Sequence, residues 1–307
     1  MTESNQQSSS NEASNDLVWD YDDAFCRNRG LISPEEQQRI RQCRVAIPGM
    51  GGVGGLNLMT LARMGVGKFR VADADSFNVG NFNRQFGALR ENIGRPKVEV
   101  LAASAQAVNP EAEIDALNGF VSEENIGTFL EGVDLVVDSL DFFAFDARRM
   151  LFREAHARGI WAITAGPVGF STIWLAFDPN GMSFDSYFDL KDGMTPADQF
   201  AAMAVGLAPR PTHLPYFDYS YIDYNSGSAP SVSAACRLAS GVVGVEAVKI
   251  LLGRGKVRAA PCYNQFDAYR YIHRKGWIPM GNRNPIQRIK RRILRQRMIN
   301  AGYGSTT

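Results

Sequence analysis

The sequence is poor in the residues that build metal and redox centres. Its four cysteines, Cys26, Cys43, Cys236 and Cys262, lie far apart and form no C-x-x-C pair. Its three histidines are equally scattered, and no two of them have the spacing of metal ligands. We therefore expect no structural zinc site, and the isolated cysteines indicate a reducing, cytoplasmic setting.

Long apolar runs and an excess of charge of one sign are also missing. No stretch reaches the roughly 18 to 20 apolar residues that cross a bilayer. Residues 1–16 lack the basic start and apolar centre of a secretory signal, and their polar composition predicts a disordered tail. With 33 Lys and Arg against 32 Asp and Glu, no global field attracts nucleic acid or an anionic membrane. No membrane partner is expected, and any such attraction must be local.

What the sequence does contain, from Arg44 onward, is an alternation of short apolar runs and helical patterns. The predicted strands and helices cover residues 44–48, 56–64, 69–72, 97–107, 133–137, 146–158 and 161–165. This alternation predicts an α/β fold, a Rossmann-like, doubly wound, mostly parallel sheet with helices on both faces. In such folds the ligand binds at the carboxyl ends of the strands.

A glycine cluster follows the first predicted strand. Gly49, Gly51 and Gly54 form a G-x-G-x-x-G pattern that also includes Gly52. Bare backbone at this point lets a phosphate or ribose approach, and the amides that open the next helix favour negative charge. Asp73 ends the second strand, where a Rossmann unit places its ribose-binding carboxylate. These residues suit NAD and ATP equally.

The residues beyond Asp73 favour ATP over NAD. Asn81, Arg84, Gln85 and Lys97 supply two charges and two amides just past a strand end. These groups suit a triphosphate, because its negative charge accumulates as pyrophosphate leaves. A dehydrogenase has no need of them, so NAD-dependent redox chemistry is the least favoured interpretation.

The same residues resemble the signature of the ThiF/MoeB/HesA adenylyltransferases of the ubiquitin-activating enzyme superfamily. That signature joins the glycine loop to Asp-x-Asp, Asn-x-x-Arg-Gln and a later Lys. The matching residues are Asp73, Asp75, Asn81, Arg84, Gln85 and Lys97. By this resemblance Asp73 would hold the ribose and Lys97 the α-phosphate of ATP. Asn81 and Arg84 would contact the β- and γ-phosphates.

The resemblance extends to the metal and to a neighbouring subunit. Asp141 falls at the family's magnesium-binding aspartate, and Mg²⁺ prefers one or two carboxylates together with phosphate oxygens. In the family an N-terminal arginine reaches the nucleotide of the second subunit of a dimer. Arg27 is the nearest match, with Arg29 as its rival. The resemblance thus implies ATP, Mg²⁺ and a homodimer, and the catalytic residues it implies are Arg27, Arg84, Lys97 and Asp141.

On this interpretation residues 17–281 form one ThiF-type adenylation domain. Its nucleotide half covers about 44–180, loop-rich segments on the substrate side cover about 181–229, and a closing helix covers about 231–252. Residues 282–307 form a basic C-terminal helix or tail.

The basic C-terminal segment has an amphipathic pattern. Its arginines and lysines have no acidic neighbour in the sequence, and Ile286, Ile289, Ile293 and Met298 fall on one helical face. The pattern predicts a docked helix with a solvated basic face. The alternatives are that the basic segment attracts RNA or an acidic protein.

The predicted reaction is adenylation of a carboxylate, which makes AMP the leaving group. The resemblance favours the C-terminus of a ubiquitin-like or sulfur-carrier protein as substrate. One alternative is that the substrate is a carboxylate on a tRNA nucleoside or on a small molecule. Another is that the chain is a non-catalytic, nucleotide-binding interaction protein. Residues 183–228 contain no cysteine and Cys236 lies in an apolar helix pattern, so no thioester on the enzyme is expected. Aromatic residues between Tyr216 and Tyr224 either line a peptide groove or pack in the core.

Overall fold

The computed structural model describes residues 19–224, 226–300 and 303. The tail predicted at 1–16 and the last part of the basic segment, residues 301, 302 and 304–307, lie outside the described residues. Across the described part of the chain, no helix is both long enough and apolar enough to span a membrane.

The described residues form ten α-helices and eight strands. In chain order they are α1 (Tyr21–Ala24), α2 (Pro34–Gln42), β1 (Arg44–Pro48), α3 (Gly54–Arg63), β2 (Lys68–Asp73), α4 (Lys97–Val108), β3 (Glu113–Asn118), α5 (Ile126–Phe129), β4 (Leu135–Asp138), α6 (Phe145–Ala157), β5 (Trp161–Val168), β6 (Ser171–Phe177), α7 (Phe184–Phe188), α8 (Pro196–Leu207), α9 (Ser233–Leu252), β7 (Cys262–Asp267), β8 (Ile272–Trp277) and α10 (Pro285–Asn300). Single turns of 3₁₀ helix lie at Cys26–Asn28, Val79–Asn81, Arg90–Asn92, Tyr219–Tyr221 and Gly281–Arg283.

All eight strands belong to one sheet of order β3-β2-β1-β4-β5-β6-β7-β8. The strands from β3 to β5 are parallel, and β6, β7 and β8 extend the sheet in antiparallel fashion. The predicted doubly wound, mostly parallel sheet is confirmed. The strand order reverses between β1 and β4, and that switch point is where open α/β sheets bind their ligands.

Helices cover both faces of the sheet because buried residues of the strands alternate between two apolar clusters. Val45 and Ile47 of β1 face the cluster that includes α3, α4 and α9, whereas Ala46 faces the one that includes α6 and α8. Helix α9 ends at Gly253, whose φ of 63° lets its amide bond back to the carbonyl of Ile250. The predicted closing helix is therefore confirmed.

The expectation of loops over 181–229 is wrong for the first half of that segment, which contains α7 and α8. Helix α8 is capped by Thr195, whose side chain accepts from the amide of Asp198, and it opens with Pro196. Proline is tolerated there because the first helical amide needs no partner. The alanine-rich stretch that follows buries Phe200 and Met203 against the sheet.

Helix α10 docks on α8, as predicted, but it uses another face. Gln287 and Met298 are buried, and Gln287 donates to the carbonyl of Val205. The exposed fractions of the other three residues of the predicted apolar face are 63% at Ile286, 61% at Ile289 and 51% at Ile293. The isoleucines face solvent because polar anchors from α10 to the end of α8 fix the helix rotation.

Two basic residues of α10 have acidic partners, which come from other parts of the chain. Arg291 pairs with Asp189 at 2.7 Å, and Arg295 pairs with Asp198 at 2.6 Å. Lys290 donates to the carbonyl of Pro209. The sequence could not show these pairs, since the acidic residues precede α10 by about a hundred positions.

Candidate functional site

The glycine loop between β1 and α3 closes through contacts that exclude side chains. Gly49 has a φ of 91°, and a Cβ there would lie 2.3 Å from the carbonyl oxygen of Ser139. A Cβ at Gly54 would lie 1.8 Å from the carbonyl oxygen of Gly49. These two glycines are therefore required by the fold of the loop itself, which lies against the end of β4.

The middle of the loop leaves its backbone bare. The nearest atom to a Cβ at Gly51 would be the Gln85 amide nitrogen, at 3.9 Å. At Gly52 it would be the Cys236 sulfur at 3.2 Å, followed by the Arg84 Cγ at 3.6 Å. Arg84, Gln85 and the loop are thus brought together, as the sequence predicts.

Asp73 ties the glycine loop to the end of β2. One of its carboxylate oxygens accepts from the amide of Met50 at 2.6 Å, and the other accepts from the amide of Asp75 at 2.8 Å. The Asp73 carboxylate is partly exposed at the switch point. It lies at the carboxyl end of β2, beside the glycine loop.

Lys97, the first residue of α4, carries a nearly buried ammonium. The residue is 5% exposed, and its Nζ lies 2.7 Å from a carboxylate oxygen of Asp75, whose side chain is 64% exposed. A buried ammonium requires an anionic partner. Because the Asp75 side chain is exposed, the ammonium of Lys97 is held by a carboxylate at the protein surface.

The turn that begins at Asn81 positions Arg84 and Gln85. The amides of both residues donate to the carbonyl of Asn81, which is itself buried. Its own side-chain oxygen accepts from the amide of Asn78, so the side chain of Asn81 holds the turn.

Arg84 and Gln85 present unsatisfied polar groups beside the loop. The Arg84 guanidinium donates to the carbonyl of Gly80 and the side chain of Asn83, and no acidic group pairs with it among the described residues. The side-chain oxygen of Gln85 is buried and finds no hydrogen-bond partner in the described chain. A cation without a carboxylate, next to bare backbone amides, is an anion-binding arrangement.

Asp141 lies in the loop after β4, two residues beyond Ser139. It is exposed, and one of its carboxylate oxygens accepts from the amide of Phe143 at 3.0 Å. Ser139 in turn accepts from the side chain of Asn57 in α3 at 3.0 Å. The Asp141 loop and the glycine loop therefore abut at the switch point.

Arg148 supports the loop that carries Asp141, and the sequence did not predict this role. Its guanidinium donates to the buried carboxylate of Asp138 at 2.8 Å and to the carbonyls of Leu140, Asp141 and Phe142. Its signal in the sequence is weak, because α6 buries Arg149 as well as Arg148 among its apolar residues. Arg148 fixes the backbone that carries Asp141.

Arg27 and its rival Arg29 are not brought to this site within one chain. Both are exposed, and neither contacts the glycine loop, Arg84 or Asp141 among the described residues. Arg29 instead lines a cleft of about 250 Å³ between the N-terminal turns and α2.

The thiol of Cys236 is buried beside Gly52, with the Ser231 hydroxyl 3.6 Å away. Burial raises the pKa of this thiol, and the nearby Ser231 and Arg84 oppose that rise. The predicted buried cysteine is confirmed. Its position against the nucleotide loop was not visible in the sequence.

The aromatic stretch from Tyr216 to Tyr224 is only partly packed in the core. Tyr224 packs against Phe200 and Tyr303, whereas Tyr221 is 75% exposed. The stretch forms a 3₁₀ turn and no strand. Nearby, burial lowers the pKa of His213 to about 4.

The comparison with protein families gives a match over most of the chain. The pattern of the ThiF family matches residues 25–285. The tRNA threonylcarbamoyladenosine dehydratase of Bacillus subtilis is 37% identical over 142 residues, which cover 46% of this chain and 55% of the relative. The sulfur carrier protein adenylyltransferase of Thermus thermophilus is 29% identical over 267 residues, covering 83% of this chain and 86% of the relative. The matches to the first dehydratases span about half of those proteins' own length.

Solved structures support the same fold. PaaA superposes with a TM-score of 0.64 at 20% identity, covering 89% of this chain and 78% of that chain. The AMP complex of the Escherichia coli tRNA N6-threonylcarbamoyladenosine dehydratase TcdA superposes with a TM-score of 0.56 at 20% identity, covering 76% and 95%. Together with the match over residues 25–285 and the glycine loop at the switch point, these comparisons show that the chain belongs to the ThiF family.

Proposed function

We propose that this protein is an adenylyltransferase that uses ATP and Mg²⁺ to activate a carboxylate and releases pyrophosphate. The observation that carries the proposal is the pairing of the bare glycine loop with Arg84 and Gln85. Arg84, a cation without an acidic partner among the described residues, lies beside half-buried glycine backbone at the switch point. NAD, with its pyrophosphate fully esterified, does not need this additional charge.

The residues around the loop fit ATP. Asp73 is in position for the ribose hydroxyls, Lys97 for the α-phosphate, and Arg84 for the phosphates beyond it. Gly51 and Gly52 allow the phosphates to approach the amides that open α3. Asn81 acts by holding the turn, and Gln85 and Asp75 complete the polar lining.

The exposed carboxylate of Asp141 fits Mg²⁺. Oxygen ligands on a rigid loop, together with phosphate oxygens, are the donors this ion prefers. Arg148 supplies the rigidity, since it bonds the carbonyl of Asp141 itself. When bound, the ion would neutralise charge on the departing pyrophosphate, and Arg84 and Lys97 would add to that effect.

The substrate that we favour is the C-terminal carboxylate of a ubiquitin-like or sulfur-carrier protein. The relative that covers most of this chain is a sulfur carrier protein adenylyltransferase. A carboxylate on a tRNA nucleoside is the second candidate, because the 37% identical relative is a tRNA threonylcarbamoyladenosine dehydratase. In either case the acyl adenylate forms without a cysteine of this chain, since Cys236 is buried.

A homodimer would bring Arg27 of a second copy to the nucleotide. An apolar surface on the segment between β2 and α4, which contains Arg84, supports this arrangement. It consists of the exposed residues Val79, Phe82, Phe86, Leu89 and Ile93. Such a patch favours burial against another protein surface, and it borders the predicted nucleotide site.

Pyrophosphate release from ATP tests this proposal. A small β-grasp protein ending in Gly-Gly and unfractionated tRNA are offered as separate substrates. The unaltered protein should release pyrophosphate with one of them, and Arg84→Ala should be slower by about 10²- to 10³-fold. Arg63→Ala, which removes an exposed arginine from α3, is the matched control and should stay active. Equal rates in all three proteins would refute the role given to Arg84.

A further inference from the structure

The charges of the chain are divided unequally along its length. Residues 268–307 contain ten lysines and arginines and no aspartate or glutamate, while residues 1–267 contain the other 23 cations and all 32 acidic residues. The near-zero net charge therefore conceals a strongly basic C-terminal segment. Within the described part of this segment, Arg291 and Arg295 have acidic partners, and the remaining eight cations have none.

The β7–β8 hairpin places some of these cations among exposed aromatic rings. Arg270, Arg274 and Lys275 are exposed there. Three aromatic side chains stand beside them in the sequence, with exposed fractions of 63% for Tyr269, 94% for Tyr271 and 63% for Trp277. Strand β8 is also the edge strand of the sheet. From Tyr271 to Trp277 the surface extends for about 20 Å.

Tyr271 is held in solvent by a backbone conformation that tyrosine seldom adopts. Its φ of 54° lies in the left-handed region, where glycine and asparagine are more easily accommodated. A tyrosine at this turn contributes little to the fold, because its ring is 94% exposed. Strain at an exposed aromatic residue points to a role in binding.

The aromatic surface continues from the hairpin towards the nucleotide edge of the sheet. The ring of Tyr269 stacks on Phe170 at 5.4 Å with an interplanar angle of 22°, and it lies 5.0 Å from the ring of Tyr216. Phe170 occupies the turn after β5, at the same carboxyl edge as the glycine loop. A chain bound along these rings would run from the basic edge strand towards the switch point.

We propose that the surface formed by Tyr269, Arg270, Tyr271, Lys275 and Trp277, here called the hairpin surface, binds unpaired nucleotides of an RNA. Exposed rings alternating with cations match the two repeating parts of a single strand, its bases and its phosphates. RNA loops are the place where unpaired bases are permanently available. The inference goes beyond the proposed function and holds for either carboxylate substrate.

The arrangement of the surface argues against two other occupants. A paired duplex hides its bases, so it could use the cations but leave the rings unused. An acidic protein would need a contiguous apolar centre, and on the hairpin surface the rings are separated by charges. The exposed isoleucines of α10 are a better surface for such a protein.

Fluorescence anisotropy with a labelled stem–loop RNA tests the proposal, with the fully paired duplex of the same length and the loop sequence as DNA for comparison. The stem–loop RNA should bind more tightly than the duplex, and the DNA loop, which offers the same bases and phosphates, should bind comparably. Tyr271→Asn, which suits the left-handed turn, should weaken binding by about tenfold with the salt dependence unchanged. Lys275→Gln should lower the slope of log affinity against log salt by about 0.7, whereas Arg274→Gln, on the other face of β8, should leave it unchanged.

The matched controls come from exposed residues outside the hairpin surface. Phe120→Ala removes a ring that is 76% exposed beyond β3, and Arg63→Gln removes an exposed cation. Both should bind RNA like the unaltered protein, and all variants should bind ATP equally by calorimetry. No binding of the stem–loop, equal binding of the duplex, or unchanged binding by Tyr271→Asn would each overturn the proposal. Loss of ATP binding in the unaltered protein would instead count against the adenylation function.

Discussion

The buried guanidinium of Arg148 donates to the buried carboxylate of Asp138 across 2.8 Å, and the same guanidinium bonds three carbonyls of the loop that carries Asp141. Arg148→Met would leave Asp138 unpaired in the core and release this loop. We expect the free energy of unfolding to fall by about 3 to 5 kcal/mol. Urea denaturation followed by circular dichroism measures this loss.

An exposed ion pair on the same helix provides the control for Arg148. Arg158 pairs with Glu154 at 2.8 Å, and both side chains are more than a third exposed. Arg158→Met should cost less than about 1 kcal/mol. If the two variants lose the same stability, Arg148 is not the anchor of the Asp141 loop.

The two glycines Gly54 and Gly51 should respond differently to the same substitution. Gly54→Ala places a Cβ 1.8 Å from the carbonyl oxygen of Gly49, so the loop backbone must move. We expect a loss of about 1 to 3 kcal/mol in the free energy of unfolding together with a loss of ATP binding. Gly51→Ala meets no atom closer than 3.9 Å and should keep the unfolding midpoint. Thermal unfolding of both variants measures the difference, and a stable Gly54→Ala protein would contradict the loop geometry.

The parallel half of the fold could be predicted from the sequence, and so could the position of Arg84 and Gln85 beside the glycine loop. These predictions rest on short patterns of neighbouring residues, namely apolar strands, a glycine turn and the residues at strand ends. The antiparallel extension, the Arg148–Asp138 pair and the rotation of α10 depend on contacts between distant residues. Gly49 shows why, because the lack of a side chain there makes room for Ser139, which follows the distant strand β4.

Acid should destabilise the protein through His213. Burial lowers the pKa of His213 from 6.5 to about 4 in the folded chain. Between these values the unfolded state binds more protons, so the stability contributed by neutral His213 is complete above pH 6.5 and is lost as the pH falls. The loss reaches at most about 3 kcal/mol.

Replacing His213 by phenylalanine isolates this effect. The ring should pack among Phe217 and Tyr219, which neighbour His213. His213→Phe should therefore lose less stability than the unaltered protein between pH 6.5 and pH 4, as measured by denaturation at a series of pH values. If both proteins lose the same stability between pH 6.5 and pH 4, His213 is protonated in the folded state.

No thioester should form on this chain. The thiol of Cys236 is fully buried and its pKa is raised by burial, so little nucleophilic thiolate is present. Cys236→Ala should release pyrophosphate like the unaltered protein, apart from a packing loss, and so should Cys26→Ala at an exposed site. Electrophoresis without reducing agent checks for an enzyme–substrate adduct. An adduct that disappears in one of the cysteine variants would establish the step we exclude.

Calorimetric titration with ATP and with NAD, each in the presence of Mg²⁺, tests the adenylation account most directly. Arg84 and Lys97 place two cations beside the glycine loop, which suits a triphosphate, so ATP should bind and NAD should not. Arg84→Ala should weaken the ATP signal, while Arg63→Ala should preserve it. Tight binding of NAD with no binding of ATP would contradict the account.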